Sequence, residues 1–244
     1  MISSPHNEKL KLVRKLRERK QREREGLFAT EGEDLVEAGL AAGAEPRFLL
    51  SAAGSGLGGE EVEPELLAEA SALGSGTRAI AVWERTWASE PGPACVYLHG
   101  VADPGNVGAI VRSVHALRGG ALVLGPDCAD PFGPKAVRAS MGSIFAQPLL
   151  RAGIEATPRP RAALVAHGGE SLEAIGPVAT LCLGAERDGL PPDVAAQCDV
   201  EATIALRPGA AESLNVAAAA AIACERVASA ASISDPSQAS EREP

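Results

Sequence analysis

The stretch from residue 94 to residue 117 constrains the fold of this chain more than any other segment. It begins with the apolar run 94–101, whose β-branched and aromatic residues are typical of a buried strand. The turn 103–106 follows and opens a helix. Apolar residues recur there at the spacing of one buried helix face: Val107, Ile110, Val111, Val114 and Leu117. A strand leading through such a turn into a helix is a common anion or nucleotide site, because free N–H groups point at the ligand.

Strands and helices alternate from this stretch to residue 230. The alternation predicts an α/β fold with a mainly parallel sheet that helices cover on both faces. We expect strands at 94–99, 121–125, 145–150, 162–167, 179–184 and 200–206. We expect helices at 106–117, 134–142, 192–198 and 213–230, the last capped by Ser213. The tail 231–244 is rich in Ser, Pro and Glu and is predicted to be disordered.

The first 90 residues predict a smaller α/β domain. A single charged helix over 8–26 would end at Gly26, and the capping box formed by Thr30 and Glu33 would open a second helix over 31–43. A strand at 47–51, a helix at 64–73 and a strand at 79–84 complete this domain. A linker at 88–94 separates it from the second, so the predicted domains are 1–90 and 91–230, followed by the tail.

The charge distribution indicates a localised phosphate partner. The first 25 residues carry nine Lys or Arg and four Glu, a net charge of +5, whereas the whole chain carries −9 and its remainder therefore −14. A basic segment on an acidic body is the form in which charge indicates nucleic-acid binding.

Other classes of protein are disfavoured. No apolar run is long enough to span a membrane, and the basic N-terminus lacks the apolar segment of a signal peptide, so we expect a cytoplasmic protein. The five cysteines are scattered without C-x-x-C spacing, which argues against a disulfide framework and a zinc site. No metal is expected.

Three segments carry the most specific patterns of the chain: 103-DPGNVGAIVRS-113, 181-LCLGAERDGLP-191 and 204-IALRPGAAESLNVAAAAAIA-223. In this order they resemble the signature motifs of the SpoU/TrmH branch of the SPOUT methyltransferases. The stretch 130-DPFGPKAVRASMGSIF-145 is similar to the family as well. The basic helix and 28-FATEGEDLVEAGL-40 are similar to the small RNA-binding domain of ribosomal-protein-L30e type that often precedes the catalytic domain.

The resemblance implies an enzyme that transfers a methyl group from S-adenosylmethionine to a ribose 2′-hydroxyl in tRNA or rRNA. It also implies a deep C-terminal trefoil knot and a homodimer. The Ala-rich last helix favours the homodimer, because small side chains let another helix or strand approach closely. The implied catalytic residues are Arg112, Asn106, Glu186, Ser213 and Asn215. The implied donor-binding residues are Leu183, Gly184, Ile204, Leu206, Ser213 and Leu214. The candidate RNA-binding residues are Lys11, Arg14, Lys15, Arg17, Lys20, Lys135 and Arg138.

The sequence leaves two roles for Arg112 open, and it leaves two functions of the chain other than methyl transfer to be considered. Arg112 is either a general base or a clamp on the adjacent phosphate, and a guanidinium that stays protonated at neutral pH suits the clamp better. A non-catalytic RNA-binding protein could keep the same fold. A nicotinamide-dependent oxidoreductase is disfavoured because the G-x-G-x-x-G fingerprint is lacking.

Overall fold

The computed structural model describes residues 1–72, 76–207, 209 and 211–234. The chain divides into two compact units. The first contains Met1–Thr86 and Asp130–Ala146, and the second contains Trp87–Ala129 and the chain from Gln147 onward. A single cut near residue 90, as the sequence suggested, would assign 130–146 to the second domain, whereas in the structure this segment packs with the first unit.

The N-terminal part of the first unit is a mixed four-stranded sheet with helices. Its sheet has the strand order β1-β4-β2-β3, in which β4 is antiparallel to both neighbours and β2 runs parallel to β3. Leu10, Leu16, Leu50, Leu67 and Ile80 are fully buried in its core. In chain order the elements are α1 (Glu8–Lys15), α2 (Arg19–Glu25), β1 (Leu27–Glu31), α3 (Glu33–Ala41), β2 (Phe48–Ala52), β3 (Glu60–Val62), α4 (Pro64–Ala70) and β4 (Ala79–Glu84).

The predicted single helix over 8–26 is wrong, because the helix breaks between α1 and α2. The guanidinium of Arg22 folds back on the break and donates to the carbonyl oxygens of Leu16 and Arg17, both at 2.8 Å. Its Nε donates to Asp130 at 2.8 Å, and both side chains are buried. Arg22 therefore replaces helical hydrogen bonds at the break, and it does so with a partner 108 residues away. The predicted end at Gly26 is confirmed, with φ at 68°.

The predicted capping box at Thr30 and Glu33 is also wrong. Thr30 lies in β1, a strand that the sequence did not predict, and its hydroxyl oxygen accepts the Nε1–H of Trp83 in β4 at 2.8 Å. Gly32, with φ at 100°, is the residue that precedes α3. A cross-strand partner for the Thr30 hydroxyl thus replaced the local capping bond.

The second unit is built on a seven-stranded sheet in the order β7-β6-β5-β10-β8-β11-β9, and every pairing is parallel. The predicted α/β fold with a mainly parallel sheet is confirmed; the knot stays a prediction. In chain order, with α6 belonging to the first unit, the remaining elements are β5 (Cys95–Leu98), α5 (Pro104–Leu117), β6 (Ala121–Leu124), α6 (Pro134–Ser140), β7 (Leu149–Arg151), β8 (Arg161–Leu164), β9 (Glu170–Ser171), β10 (Thr180–Leu183), α7 (Pro192–Ala195), β11 (Val200–Thr203) and α8 (Val216–Ser234). Short 3₁₀ turns lie at Ser143–Phe145 and Ile154–Ala156.

Helix α5 follows its sequence pattern closely. The predicted stripe is fully buried at Val107, Ile110, Val111 and Val114, and α5 packs against α8. The prediction for Leu117, the last member of the stripe, is wrong: it is 39% exposed at the end of the helix. Helix α8 begins later than predicted, since Asn215 and not Ser213 is its N-cap: the Asn215 side-chain oxygen accepts the N–H of Ala217 at 2.9 Å. The helix continues to Ser234, so the start of the predicted disordered tail is helical, and the rest of the tail lies outside the described residues.

Candidate active site

A cavity of about 360 Å³ opens at the carboxyl ends of three adjacent strands, β8, β10 and β11. Its walls come from the last residue of each strand and the residues that follow, 164–167, 183–187, Gly189, 203–204 and Leu206, and from 212–214, Val216 and Ala219 around the start of α8. Ligands of open parallel sheets bind outside the carboxyl ends of the strands, where loops diverge and backbone groups are available. We call this the donor cavity.

All six residues predicted to bind the donor line this cavity. Leu183, Ile204, Leu206 and Leu214 supply apolar surface, while Gly184 and Ser213 complete the set. Residues of the second and third motifs are therefore brought together at one cavity.

Gly184 is required by the close return of the loop that follows it. Ala185 and Gly189 exchange two backbone hydrogen bonds of 3.0 Å, and they fold the loop 185–189 back on Gly184. A Cβ on Gly184 would lie 2.0 Å from the carbonyl carbon of Gly189, which no side chain can tolerate. Glycine at this position thus lets the loop form one wall of the donor cavity.

A second, wider cavity of about 670 Å³ adjoins the first and shares Ala185, Glu186 and Arg187 with it. Its other walls are the turn before α5, the first turn of α5 and Asn215. We call this the acceptor cavity. Because three residues belong to both cavities, ligands in the two would lie next to each other.

Three predicted catalytic residues form one hydrogen-bonded chain in the acceptor cavity. Asn106 Nδ2 donates to Glu186 Oε1 at 2.9 Å, and Asn215 Nδ2 donates to Asn106 Oδ1 at 3.1 Å. Asn106 is positioned by α5, whose N-cap Asp103 accepts the backbone N–H of Asn106 at 3.0 Å and whose first residue is Pro104. The chain thus ties the first turn of α5 to the loop after β10 and to the start of α8.

Arg112 lies outside both cavities. It is exposed on α5, and it lines neither cavity. Six residues along an α-helix correspond to a rise of about 9 Å and leave Arg112 about 120° around the axis from Asn106. The structure therefore brings together Asn106, Glu186, Ser213 and Asn215, but not Arg112, within a single chain.

Some lining residues were missed by the sequence reasoning. His167 follows β8 and lines the donor cavity, and Arg187 lines both cavities although it stands in one of the three motifs. The signal for His167 was its place at the carboxyl end of a predicted parallel strand, where ligands of such sheets bind. Arg187 was not predicted as a site residue, because the family resemblance in this motif implied a role only for its neighbour Glu186.

Thiols do not contribute to either cavity. All five cysteines are free, and burial raises the pKa of Cys95, Cys128 and Cys224, to about 11 for Cys224. These thiols therefore stay protonated near neutral pH. Burial also raises the pKa of Tyr97, to about 12, and its hydroxyl lies 3.0 Å from His99 Nδ1.

The candidate RNA-binding residues lie in the first unit, and several have structural partners. Lys11 pairs with Glu8, Arg14 donates to the carbonyl oxygen of Pro5, and Arg17 donates to the carbonyl oxygens of Glu69 and Ser71. The other members of the set are exposed: Lys15, Lys20, Lys135 and Arg138.

Within the residues that the structure describes, no group of His, Cys, Asp or Glu side chains is arranged to hold a metal ion. No described helix combines the length and apolar character needed to cross a membrane.

Two family models match the chain. Residues 93–225 match the SpoU rRNA methylase family, and residues 7–88 match the MRM3-like substrate-binding domain. The first match covers most of the second unit together with 130–146 of the first, and the second match covers most of the N-terminal part of the first unit.

Individual relatives point the same way. An uncharacterized tRNA/rRNA methyltransferase of Mycobacterium tuberculosis is 36% identical over 140 residues, which are 52% of this chain and 48% of that protein, so the match spans about half the relative's length. The 23S rRNA guanosine 2′-O-methyltransferase RlmP of Bacillus subtilis is 29% identical over 91% of this chain and 96% of its own length. The crystal structure of an S-adenosylmethionine-bound rRNA methyltransferase from Sinorhizobium meliloti superposes with a TM-score of 0.81 and 27% identity, covering 93% of this chain and 96% of that one.

Proposed function

The chain belongs to the SpoU rRNA methylase family, and from this premise we propose that it transfers a methyl group from S-adenosylmethionine to a ribose 2′-hydroxyl of RNA. The observation that carries the proposal is the pair of adjoining cavities that meet at Glu186, since a donor in one and a nucleotide in the other would lie side by side.

The donor cavity suits S-adenosylmethionine. Its volume of about 360 Å³ lies within the range of roughly 300–1,000 Å³ that small-molecule sites occupy. Leu183, Ile204 and Leu214 offer apolar surface to an adenine ring, and the backbone around Gly184 is open to close approach. When bound, S-adenosylmethionine supplies a methyl group on a positively charged sulfur; the transfer to the 2′-oxygen leaves the sulfur neutral and releases the hydroxyl proton.

The residues of the acceptor cavity orient the ribose 2′-hydroxyl. Methyl transfer needs the 2′-oxygen in line with the carbon–sulfur bond, and correct positioning alone contributes much of the rate. Asn106, held from both sides by Glu186 and Asn215, presents a fixed amide to the ribose, and Glu186 offers a carboxylate to the hydroxyl. Ser213 lies in the donor cavity beside them.

The finer parts of the proposal rest on the family and on the chain's charge. We infer that the substrate is rRNA, that the first unit holds it through the exposed basic residues, and that the protein acts in the cytoplasm.

Arg112 lines neither cavity of its own chain, which supports a homodimer in which it serves the partner's acceptor cavity. Light scattering at micromolar concentration tests the dimer, and a stable monomer would remove this role of Arg112.

Labelled donor and separate rRNA and tRNA fractions test the function. Methylation of the 2′-oxygen blocks alkaline cleavage, so we expect label in an alkali-resistant dinucleotide from rRNA. In the matched variant Asn106→Ala, donor affinity should be kept while transfer falls about a hundredfold, the loss expected when a reacting group is misplaced. Binding of RNA by the wild-type protein without any transfer would support the non-catalytic alternative instead.

A further inference from the structure

Arg187 lines both the donor cavity and the acceptor cavity, and its side chain has no part in the network described above. It follows Glu186 in the loop that the two hydrogen bonds between Ala185 and Gly189 close. Because Glu186 is also held by Asn106, the backbone next to Arg187 is fixed, while its side chain is exposed. Within the described residues, its guanidinium forms no ion pair.

The acceptor cavity is acidic and would repel the phosphates of an RNA, and Arg187 can offset this repulsion. Its described walls hold three carboxylates, Asp103, Glu186 and Asp188, and any RNA nucleotide that enters brings phosphates of the same sign. Arg187 is the cationic side chain among the described residues that line this cavity. A guanidinium offers a planar fork of N–H donors that matches two phosphate oxygens at once.

We propose that Arg187 binds a phosphate next to the acceptor ribose and so draws the RNA backbone into a cavity that would otherwise repel it. The inference rests on the proposed function. It places a phosphate clamp in the same chain as the Asn106–Glu186–Asn215 network, a position that Arg112 does not occupy. Arg187 is thereby a substrate-binding residue that also helps to hold the 2′-oxygen in line.

The test compares Arg187→Gln and Arg187→Lys with the wild type, with Arg226→Gln as control. Arg226 is an exposed arginine of the second unit that lines neither cavity. Three quantities are measured: the donor dissociation constant by calorimetry, the affinity for a 23S rRNA transcript against KCl concentration, and the single-turnover rate of methyl transfer.

For Arg187→Gln we expect an unchanged donor constant and a slope of log affinity against log salt that is shallower by about 0.7–0.9, the value for one lost phosphate contact. We expect the rate to fall at least tenfold. Arg187→Lys should regain the salt slope, because the charge is kept, but only part of the rate, because the fork is lost. Arg226→Gln should match the wild type in donor constant and in rate.

A salt slope and a rate that stay at wild-type values in Arg187→Gln would overturn the inference and leave the proposed function intact. A donor constant at least ten times weaker would overturn it as well, since Arg187 would then bind the donor carboxylate. A wild-type protein that binds the donor but transfers no methyl group to any RNA fraction would remove the proposed function and the inference with it.

Discussion

Arginine serves opposite purposes in the N-terminal helices and at the two cavities. Around α1 and α2, guanidinium groups are bound by the protein itself: Arg17 donates to two carbonyl oxygens at the end of α4, and Arg22 is buried against Asp130. At the cavities, Arg187 is exposed and forms no ion pair with the described residues. A count of basic residues in a sequence therefore overstates the number of cations available to a phosphate, because a guanidinium already satisfied by the fold has few donors left.

Removing Arg22 should give the largest effect on folding. Arg22→Ala leaves the buried Asp130 without its closest cation and removes two hydrogen bonds at the break between α1 and α2. Breaking one side of a buried ion pair costs about 3–5 kcal/mol of the free energy of unfolding, and we expect the low end because Arg85 remains 3.9 Å from Asp130. Urea unfolding followed by tryptophan fluorescence measures the loss.

The matched control for Arg22 is Arg24→Ala. Arg24 is exposed and pairs with its neighbour Glu25, so its loss should cost less than about 1 kcal/mol. Similar small losses in both variants would mean that Arg22 is not structural, and the contrast between the two regions would be broken.

Adding one methyl group at Gly184 tests whether the close return of the loop 185–189 shapes the donor cavity. In Gly184→Ala the new Cβ would meet the backbone of Gly189 and Leu190 at 2.0–2.2 Å, so the loop 185–189 must shift. We expect donor affinity to fall at least tenfold, about 1.4 kcal/mol. Titration calorimetry with S-adenosylmethionine measures it.

Gly189→Ala is the comparison for Gly184→Ala. Gly189 has φ at 67°, and a Cβ at this position would meet no atom of the described residues within 4 Å, so the substitution brings backbone strain without a clash. A left-handed conformation costs a residue other than glycine about 1–2 kcal/mol, which should lower stability with little loss of donor affinity. Equal donor affinities in the two variants would contradict the account of the loop.

The smallest effect should come from the exposed lysines of the N-terminal helices. Lys15 and Lys20 are exposed and form no close ion pair in the described part of the chain. Reversing both charges should weaken RNA binding and flatten its salt dependence, because fewer counterions are released. The free energy of unfolding should change by less than about 0.5 kcal/mol, as is usual for surface positions.

Arg17→Glu provides the contrast for these lysines. It should lower stability, since the side chain binds the carbonyl oxygens of Glu69 and Ser71. Filter binding over a range of KCl, together with urea unfolding, separates the two effects. An unchanged salt slope in the double lysine variant would remove this face from the RNA interface.

Local patterns were sufficient where the partners of a residue are close in sequence. The stripe of α5 up to Val114, its turn at Asp103 and the parallel strands all follow from spacing, and the six residues that the motifs predicted for the donor line one cavity. The wrong predictions involve partners that are distant in sequence. The Thr30 hydroxyl binds Trp83, 53 residues away, instead of capping a helix, and the break after Leu16 depends on Asp130. A periodic pattern contains no information about such partners, so both local predictions failed.

Asn215 gives the site's hydrogen bonds a direction. Its side-chain oxygen is occupied by the N–H groups of Ala217 and Ala218, so its nitrogen must be the atom that faces Asn106. The Asn106 amide is then oriented too, with its oxygen toward Asn215 and its nitrogen toward Glu186. Amide orientations are ordinarily ambiguous, but here the backbone of α8 decides them. Glu186 is consequently the last acceptor of this hydrogen-bonded chain, and every amide in the chain has a single orientation.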